Sequence, residues 1–243
     1  MCVILIPEKK HPSREIIEKC NSKNPDGCSV SWLNKRGKAQ YIKGLKVEEL
    51  LKIIPDLEFP YVLHFRYASP GMPINPLFTH PFEVNEESPL RFKGETKKLL
   101  IHNGTIKEYE WLLAGAGIDL EKDELMSDTR AIAKVISKNN EKLLWKLPGN
   151  FVLVDSVKDK IRMVGDWIHD NGIHYSNMKW KYSGSSSSVN HSSNSYIGGS
   201  GCCGTTGTNT IIKVGNRLVI FLTLLLNVMR KRFLFKAKAI LKI

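Results

Sequence analysis

The chain has 243 residues, of which 42% are apolar and 25% are charged, as is usual for globular proteins. This composition excludes a collagen-like chain, a wholly disordered chain and a multispanning membrane protein. The formal net charge is +12. Residues 182–243 contain eight Lys or Arg and no Asp or Glu, so only +4 belongs to residues 1–181.

Short apolar runs alternate with charged helical stretches up to about Lys181, which predicts an α+β domain over residues 1–181. The predicted elements, in chain order, are a strand 2–6, a helix 13–20, a strand 28–32, a helix 47–54, a strand 61–67, an apolar run 99–101, helices 107–114 and 128–137, and strands 151–155, 160–165 and 172–175. Ser13 is the expected N-cap of the first helix. The last three strands are separated by Asp, Asn and Gly, and we expect them to form a terminal antiparallel meander.

The composition changes abruptly after residue 181. Residues 183–209 contain nine Ser and six Gly, so we expect a flexible linker over 182–210. An apolar basic tail follows over 211–243. Its apolar run, 218–229, is shorter than the roughly 20 residues that cross a bilayer as a helix. The alternatives are an appended helix or non-native extension, interfacial attachment to an anionic membrane, and a spanning helix.

The cysteines and the first residues indicate the compartment. The five cysteines form no Cys-x-x-Cys pair, and two of them are adjacent: Cys2, Cys20, Cys28, Cys202 and Cys203. A disulfide framework is therefore not expected. The first residues lack the basic region and the long apolar run of a secretory signal. We expect a cytoplasmic, reduced protein, with membrane association through the tail as the variant.

Cys2 is the first candidate for catalysis. If Met1 is removed, Cys2 carries both a thiol and an α-amino group. The reference pKa of an α-amine is about 7.7 to 8.0, so near neutral pH it can take the thiol proton. The alternative is a small apolar residue at the start of a buried strand. Cys2 alone does not decide between the two.

Two other motifs carry groups that bind anions. Arg66 follows an apolar strand and offers a planar set of donors for a carboxylate; the alternative is a surface ion pair. Asn103 and Gly104 follow the apolar run 99–101 and offer two amide donors for an oxyanion. The alternative there is an ordinary Asn-Gly turn.

Two further motifs lie at predicted turns. Ser127 and Asp128 precede a helical stretch, and either is a candidate N-cap. Asp26 and Gly27 lie in an Asn-Pro-Asp-Gly segment that is typical of a turn before a strand.

Taken together and in this order, the motifs resemble the class II glutamine amidotransferases, a branch of the N-terminal-nucleophile (Ntn) hydrolases. The resemblance covers about residues 2–181. It runs through the Met-Cys start, Asp26-Gly27, the HFRYAS segment 64–69, His80-Pro81-Phe82, His102-Asn103-Gly104, Ser127-Asp128-Thr129 and Gly165-Asp166. It implies a four-layer αββα sandwich of two mostly antiparallel sheets, Ntn-hydrolase-like, with no cofactor and no metal.

The resemblance also implies roles for single residues. Cys2 would attack the side-chain amide of free glutamine, and Asn103 with the Gly104 amide would hold the oxyanion. Arg66 and Asp128 would bind the α-carboxylate and the α-amino group. The supporting residues would be Asp26, Gly27 and His102. Ammonia leaves first, and water then releases glutamate from a glutamyl thioester.

Three positions depart from the usual pattern of that family. Pro70 follows the Arg segment, Phe78 stands two residues before His80, and Arg130 follows Ser-Asp-Thr. None of them removes the nucleophile, the oxyanion donors or the substrate clamp. They bear on how a loop closes over glutamine.

The partner expected from the resemblance is an ammonia acceptor. The 62 residues after Lys181 are too few for a synthase domain, so either a separate acceptor enzyme or a stand-alone glutaminase is expected. The alternatives are an Ntn amidohydrolase of another small amide and a noncatalytic module attached to an anionic membrane or nucleic acid by its tail. Weak anionic membrane contact is expected of the tail, and specific nucleic-acid binding is not.

Overall fold

A computed structural model describes residues 2–68, 74–120 and 124–181, and these residues contain two β-sheets. Met1, Pro70, Cys202, Cys203, the expected linker and the expected tail lie outside the described residues. The structure therefore bears on the predicted domain 1–181 alone.

Within the described residues, eleven strands form two antiparallel sheets. The strands are β1 (Val3–Pro7), β2 (Cys28–Leu33), β3 (Ala39–Leu45), β4 (Tyr61–Phe65), β5 (Phe82–Glu83), β6 (Lys93–Thr96), β7 (Lys98–Asn103), β8 (Asn150–Asp155), β9 (Lys160–Val164), β10 (Ile168–Asp170) and β11 (Ile173–Tyr175). The larger sheet has the order β10-β11-β1-β4-β2-β3-β6. The smaller sheet has the order β5-β7-β8-β9.

The described part of the chain contains four α-helices: α1 (Arg14–Lys23), α2 (Val47–Ile53), α3 (Tyr109–Gly115) and α4 (Asp128–Lys138). Short 3-10 helices occur at Ile54–Asp56, Pro76–Phe78 and Glu141–Lys146. The predicted N-cap of α1 is confirmed, since the Ser13 Oγ accepts a hydrogen bond of 3.3 Å from the Ile16 amide.

The core is built from clusters on both faces of each sheet. Leu63 and Leu5 of the larger sheet pack in one cluster with Ile17 of α1 and Leu50 of α2. A second cluster joins side chains of both sheets, including Ile4 and Val62 of the larger and Leu99, Ile101 and Val152 of the smaller. A third joins the smaller sheet to α4 through Leu100, Phe151 and Ile132. Neighbouring strand residues enter different clusters because their side chains alternate between the faces.

The predicted α+β class with two antiparallel sheets is confirmed, and one prediction about topology is wrong. The last strands do not form one meander, because β8 and β9 pair in the smaller sheet whereas β10 and β11 belong to the larger one. The chain changes sheets after β9, and β11 pairs with β1 instead. The predicted strand 61–67 ends at Phe65, and β3 lies where no strand was predicted.

None of the helices in the described part of the chain is long and apolar enough to cross a membrane. The three described cysteines, Cys2, Cys20 and Cys28, are free thiols.

Candidate active site

Antiparallel pairing brings the end of β4 to the beginning of β1. Val3 pairs with Phe65, so Cys2, just before β1, lies beside Arg66 and Tyr67, just after β4. The Tyr67 amide donates a hydrogen bond to the Cys2 Sγ at 3.4 Å, and the thiol lies 3.6 Å from the Tyr67 carbonyl oxygen. The thiol is thus fixed against the backbone that follows β4.

Opposite charges act on the Cys2 thiol. Burial raises the pKa of Cys2, while the hydrogen bond from Tyr67 and the positive charge of Arg66 lower it and the carboxylate of Asp128 raises it. Both charged side chains therefore lie close enough to the sulfur to influence its ionisation. A cation and an anion beside one nucleophile match the two charged groups at the α-carbon of a free amino acid.

Arg66 is buried, with 5% of its surface exposed, which rules out the alternative of a surface ion pair. Burial lowers the pKa of Arg66, whereas Cys2 and Asp26 raise it. Its backbone amide donates to the Gly27 carbonyl oxygen at 2.8 Å. The position of the guanidinium thus depends on the turn at residues 26 and 27.

That turn supports the segment after β4. The Asp26 Oδ2 accepts a hydrogen bond of 2.7 Å from the Ala68 amide, and the Asp26 amide donates to the Arg66 carbonyl oxygen at 3.1 Å. Gly27 has φ +132°, and a Cβ at this position would lie 2.4 Å from the Thr79 Oγ1. Only glycine fits this conformation and this space.

Asn103, the last residue of β7, is connected to β1 through Ser176. The Asn103 Nδ2 donates to the Ser176 Oγ at 2.8 Å, and the same hydroxyl accepts from the Ile4 amide at 2.9 Å. Asn177, the next residue, donates from its Nδ2 to the Cys2 carbonyl oxygen at 2.9 Å. Two adjacent side chains after β11 therefore fix the smaller sheet's Asn103 relative to Cys2 and Ile4.

Gly104 has a packing constraint of its own. A Cβ at this position would lie 2.5 Å from the His102 Nε2 and 3.1 Å from the Gly149 Cα. A side chain would therefore displace His102 or the backbone. The Asn103 Oδ1 is buried and has no hydrogen-bond partner among the described residues.

Asp128 is the first residue of α4, and the structure distinguishes it from the N-cap. Ser127 is the N-cap, since its Oγ accepts from the Arg130 amide at 3.2 Å. The Asp128 Oδ2 accepts from the Ile106 amide at 2.8 Å, and its Oδ1 accepts from the Thr129 amide at 2.6 Å. These two bonds hold the carboxylate in a fixed orientation.

His102 lies close to Asp128, at the start of α4. Its ring stacks on Phe151 with 4.3 Å between centroids, and its Nδ1 lies 3.2 Å from the Thr129 Oγ1 and 3.9 Å from the Asp128 Oδ2. Burial lowers the pKa of His102, and the charge of Asp128 acts in the opposite direction. His102 thus packs β7 against the start of α4.

A pair of stacked histidines lies next to His102. The rings of His64 and His80 are 4.3 Å apart, and the His102 amide lies 3.2 Å from the His80 Nδ1. Burial lowers the pKa of His64 to about 3 and also lowers that of His80. Both rings are therefore neutral near pH 7.

Two of the departures from the family pattern have structural roles. Arg130 is buried and donates from its Nε to the Ser88 carbonyl oxygen at 2.7 Å and from its Nη2 to the Glu87 carbonyl oxygen at 3.0 Å. It ties α4 to the segment after β5. Phe78 is buried in the cluster between the smaller sheet and α4.

A cavity of about 450 Å³ adjoins the connection between the sheets. Its lining includes Asn150, Asp166, Trp167, Ser176 and Asn177.

The sequence did not identify Ser176 and Asn177 as site residues. The only signal was a Ser-Asn pair directly after the last predicted strand.

The charges of Arg66 and Asp128 therefore both reach the Cys2 thiol, and hydrogen bonds through Ser176 and Asn177 connect Asn103 to the start of β1. Asp26, Gly27 and His102 contact the backbone or side chains that carry these groups. No model of a known protein family matches the chain, and no curated protein matches it either.

Proposed function

We propose that the chain is a glutaminase of the class II glutamine amidotransferase kind, in which Cys2 hydrolyses the side-chain amide of free glutamine. The observation that carries this proposal is the surroundings of the Cys2 thiol. Pairing of β1 with β4 holds the thiol against the Tyr67 backbone, directly after Arg66, and the charges of Arg66 and Asp128, 62 residues apart in the chain, both act on its pKa. Asn103 is linked through Ser176 to Ile4 of β1, the strand that follows Cys2.

The arrangement of the core supports the four-layer αββα sandwich within this proposal. One cluster lies between α1, α2 and the larger sheet, one between the two sheets, and one between the smaller sheet and α4. This order of clusters is the order of layers that an Ntn hydrolase has.

Removal of Met1 precedes the reaction and frees the α-amine of Cys2. The amine takes the thiol proton, and the thiolate attacks the side-chain amide carbon of glutamine. The α-ammonium group of Cys2 then gives the proton to the amide nitrogen of the substrate. This nitrogen leaves as ammonia, and a glutamyl thioester remains on Cys2. A water molecule, deprotonated by the same amine, attacks the thioester carbon, and the C–S bond breaks. Glutamate is released, and the Cys2 thiolate takes the proton back from its own α-ammonium group.

Asn103 and Gly104 stabilise the tetrahedral intermediates. An Asn side chain has two N–H donors, of which one bonds to Ser176, and the second is the proposed oxyanion donor. The backbone amide of Gly104 is the other. Donors held in position before the reaction need no reorganisation as the charge develops.

Arg66 and Asp128 select the free amino acid. The guanidinium binds the α-carboxylate through paired hydrogen bonds, and the Asp128 carboxylate binds the α-ammonium. A glutamine within a peptide lacks both charges, so it would form neither of these two ion pairs.

The partners follow from the reaction. Free glutamine is the substrate, and the ammonia is either released or passed to a separate acceptor enzyme. We place the protein in the cytoplasm, with weak contact to anionic membranes through residues 211–243.

The test is incubation of the full chain with free glutamine, free asparagine and a glutamine-containing peptide. We expect equal amounts of glutamate and ammonia from free glutamine and no release from the peptide. Hydrolysis of another small amide without that of glutamine would favour the broader Ntn amidohydrolase. The absence of turnover with all three substrates would favour a noncatalytic module.

A further inference from the structure

Three side chains of the types that bind metal ions lie close together near the C-terminal end of β1, whereas Cys2 lies at its N-terminal end. Glu8 follows β1, His169 lies on β10 and His174 lies on β11. One ligand atom from each residue lies within 4.8 Å of those of the other two. The cluster therefore joins three neighbouring strands of the larger sheet.

The register of the strands places all three side chains on one face. His169 pairs directly with His174, and Ile6 pairs with His174 on the other side. The Glu8 amide donates to the Gly172 carbonyl oxygen at 3.0 Å, which continues the β1–β11 ladder by one pair. Glu8 is two residues after Ile6, so it shares the face of Ile6 and His174.

A tight turn fixes the two histidines relative to each other. Asn171 and Gly172 connect β10 to β11 and have φ +51° and +77°, as in the two-residue turn that suits a twisted hairpin. The imidazole rings of His169 and His174 are 4.7 Å apart at their centroids. Donor atoms on adjacent paired strands are better fixed than donor atoms on a loop.

The three ligand atoms lie within the range that a bound zinc ion could draw together. With zinc bonds of 2.0 to 2.2 Å to nitrogen or oxygen, tetrahedral ligand atoms lie about 3.3 to 3.6 Å apart. The His174 Nε2 already lies 3.0 Å from the Glu8 Oε1. Glu8 and His169 are exposed, so small side-chain rotations at these two residues can complete the geometry.

We propose that Glu8, His169 and His174 bind one Zn²⁺ ion, with water in the fourth position. Two imidazoles and one carboxylate suit zinc, whereas Mg²⁺ and Ca²⁺ prefer oxygen ligands alone. The bound ion would connect the outermost strand, β10, to β1 and so stabilise that edge of the larger sheet. Glu8 is six residues from Cys2, or about 20 Å along a strand, so this site does not depend on the proposed glutaminase.

The test uses the full chain, stripped of metal and titrated with Zn²⁺ in a calorimeter. We expect His169→Gln, His174→Gln and Glu8→Gln each to weaken binding at this site at least tenfold. The matched controls are His11→Gln and Glu18→Gln, which change the same residue types outside the cluster and should bind as the wild type does. Zn²⁺ should also raise the melting temperature of the wild type and of both controls, but not that of His174→Gln.

The free cysteines require a second readout, since thiols also bind zinc. Co²⁺ bound at the proposed site should give visible d–d absorption without the near-ultraviolet charge-transfer band of a thiolate ligand, and His174→Gln should lose that absorption. Circular dichroism of each metal-free variant checks that it is folded. Unchanged zinc affinity in all three folded cluster variants would overturn the proposal, and so would a wild type that binds no zinc.

Discussion

The two ends of β1 are built in different ways. At the Cys2 end, the proposed site residues come from the segment after β4, from the last residue of β7 and from the first residue of α4, and their arrangement depends on the packing of two sheets. At the Glu8 end, both partner side chains come from the adjacent hairpin of β10 and β11 in the same sheet.

This difference has a consequence for what each end can do. A site assembled from distant segments can surround a small molecule and bury part of it, as the buried Arg66 and Asn103 indicate. A site made of three neighbouring strands at a sheet edge remains open on one side, which suits an ion with a water ligand better than a substrate. One strand can thus carry a proposed catalytic residue at one end and a proposed metal ligand at the other.

The largest expected effect separates the two ends directly. Cys2→Ala should leave essentially no glutamine hydrolysis, because no other nucleophile is proposed, while zinc binding at Glu8, His169 and His174 should be unchanged. The matched thiol control, Cys202→Ala, should keep wild-type activity. Glutamate release and zinc titration measured on the same preparations check this. Persistent turnover in Cys2→Ala would remove Cys2 from the mechanism.

The second expected effect concerns the oxyanion. Asn103→Ala should lower kcat about 10²- to 10³-fold, the usual result of losing one oxyanion donor, with a smaller change in KM. Steady-state kinetics gives both values. As a control, Asn21→Ala on α1 should have no effect. A wild-type kcat in Asn103→Ala would show that Asn103 is not an oxyanion donor.

The third concerns the substrate carboxylate. Arg66→Lys keeps the positive charge but loses the planar pair of donors, so kcat/KM for glutamine should fall about 10- to 100-fold, the equivalent of losing hydrogen bonds worth roughly 1.5 to 3 kcal/mol. The exposed Arg14→Lys is the control. Equal kinetics for the wild type and Arg66→Lys would show that Arg66 does not bind the carboxylate.

A smaller effect is expected at the other end of β1. Without metal, His174→Gln should change the free energy of unfolding by less than about 1 kcal/mol, since it breaks one partly exposed pair with Glu8. Its glutaminase kinetics should match the wild type. Denaturant titration and kinetics check this. A large loss of activity would mean that the two ends of β1 are coupled.

The smallest effect on catalysis is expected from removal of residues 182–243, because every proposed catalytic residue lies before them. Hydrolysis should remain at the wild-type rate. Binding to anionic vesicles should be lost with these residues, since each basic residue near such a surface contributes about 1 kcal/mol, and salt should weaken the binding of the full chain. Vesicle co-sedimentation and kinetics are the measurements. A truncated chain that unfolds would place the domain boundary beyond residue 181.

Much of the fold could be predicted from the sequence, because apolar periodicity and caps are local signals. The strand before Arg66 and the Ser13 cap are examples. The assignment of the last strands failed because sheet membership depends on long-range pairing. The Asn171-Gly172 pair was a local hairpin signal, but nothing near it indicated that the hairpin pairs with β1.

The candidate site, like the fold, contains residues that the sequence indicated and residues that it did not. In the sequence, Arg66 stood out by its planar donors after an apolar strand, whereas Asp128 was a candidate N-cap and received a substrate-binding role only through the resemblance. Ser176 could not be found, because its importance depends on hydrogen bonds to Ile4 and Asn103, which are 172 and 73 residues away in the chain. The cluster of Glu8, His169 and His174 depends on cross-strand register and was likewise missed.

The most direct test of the central claim is mass spectrometry of the wild-type chain, quenched with acid during glutamine turnover and cleaved into peptides. The account predicts that the active protein lacks Met1 and that a glutamyl group is bound to the peptide that begins with Cys2. A fully active protein that retains Met1, or a glutamyl group bound to a different residue, would contradict it.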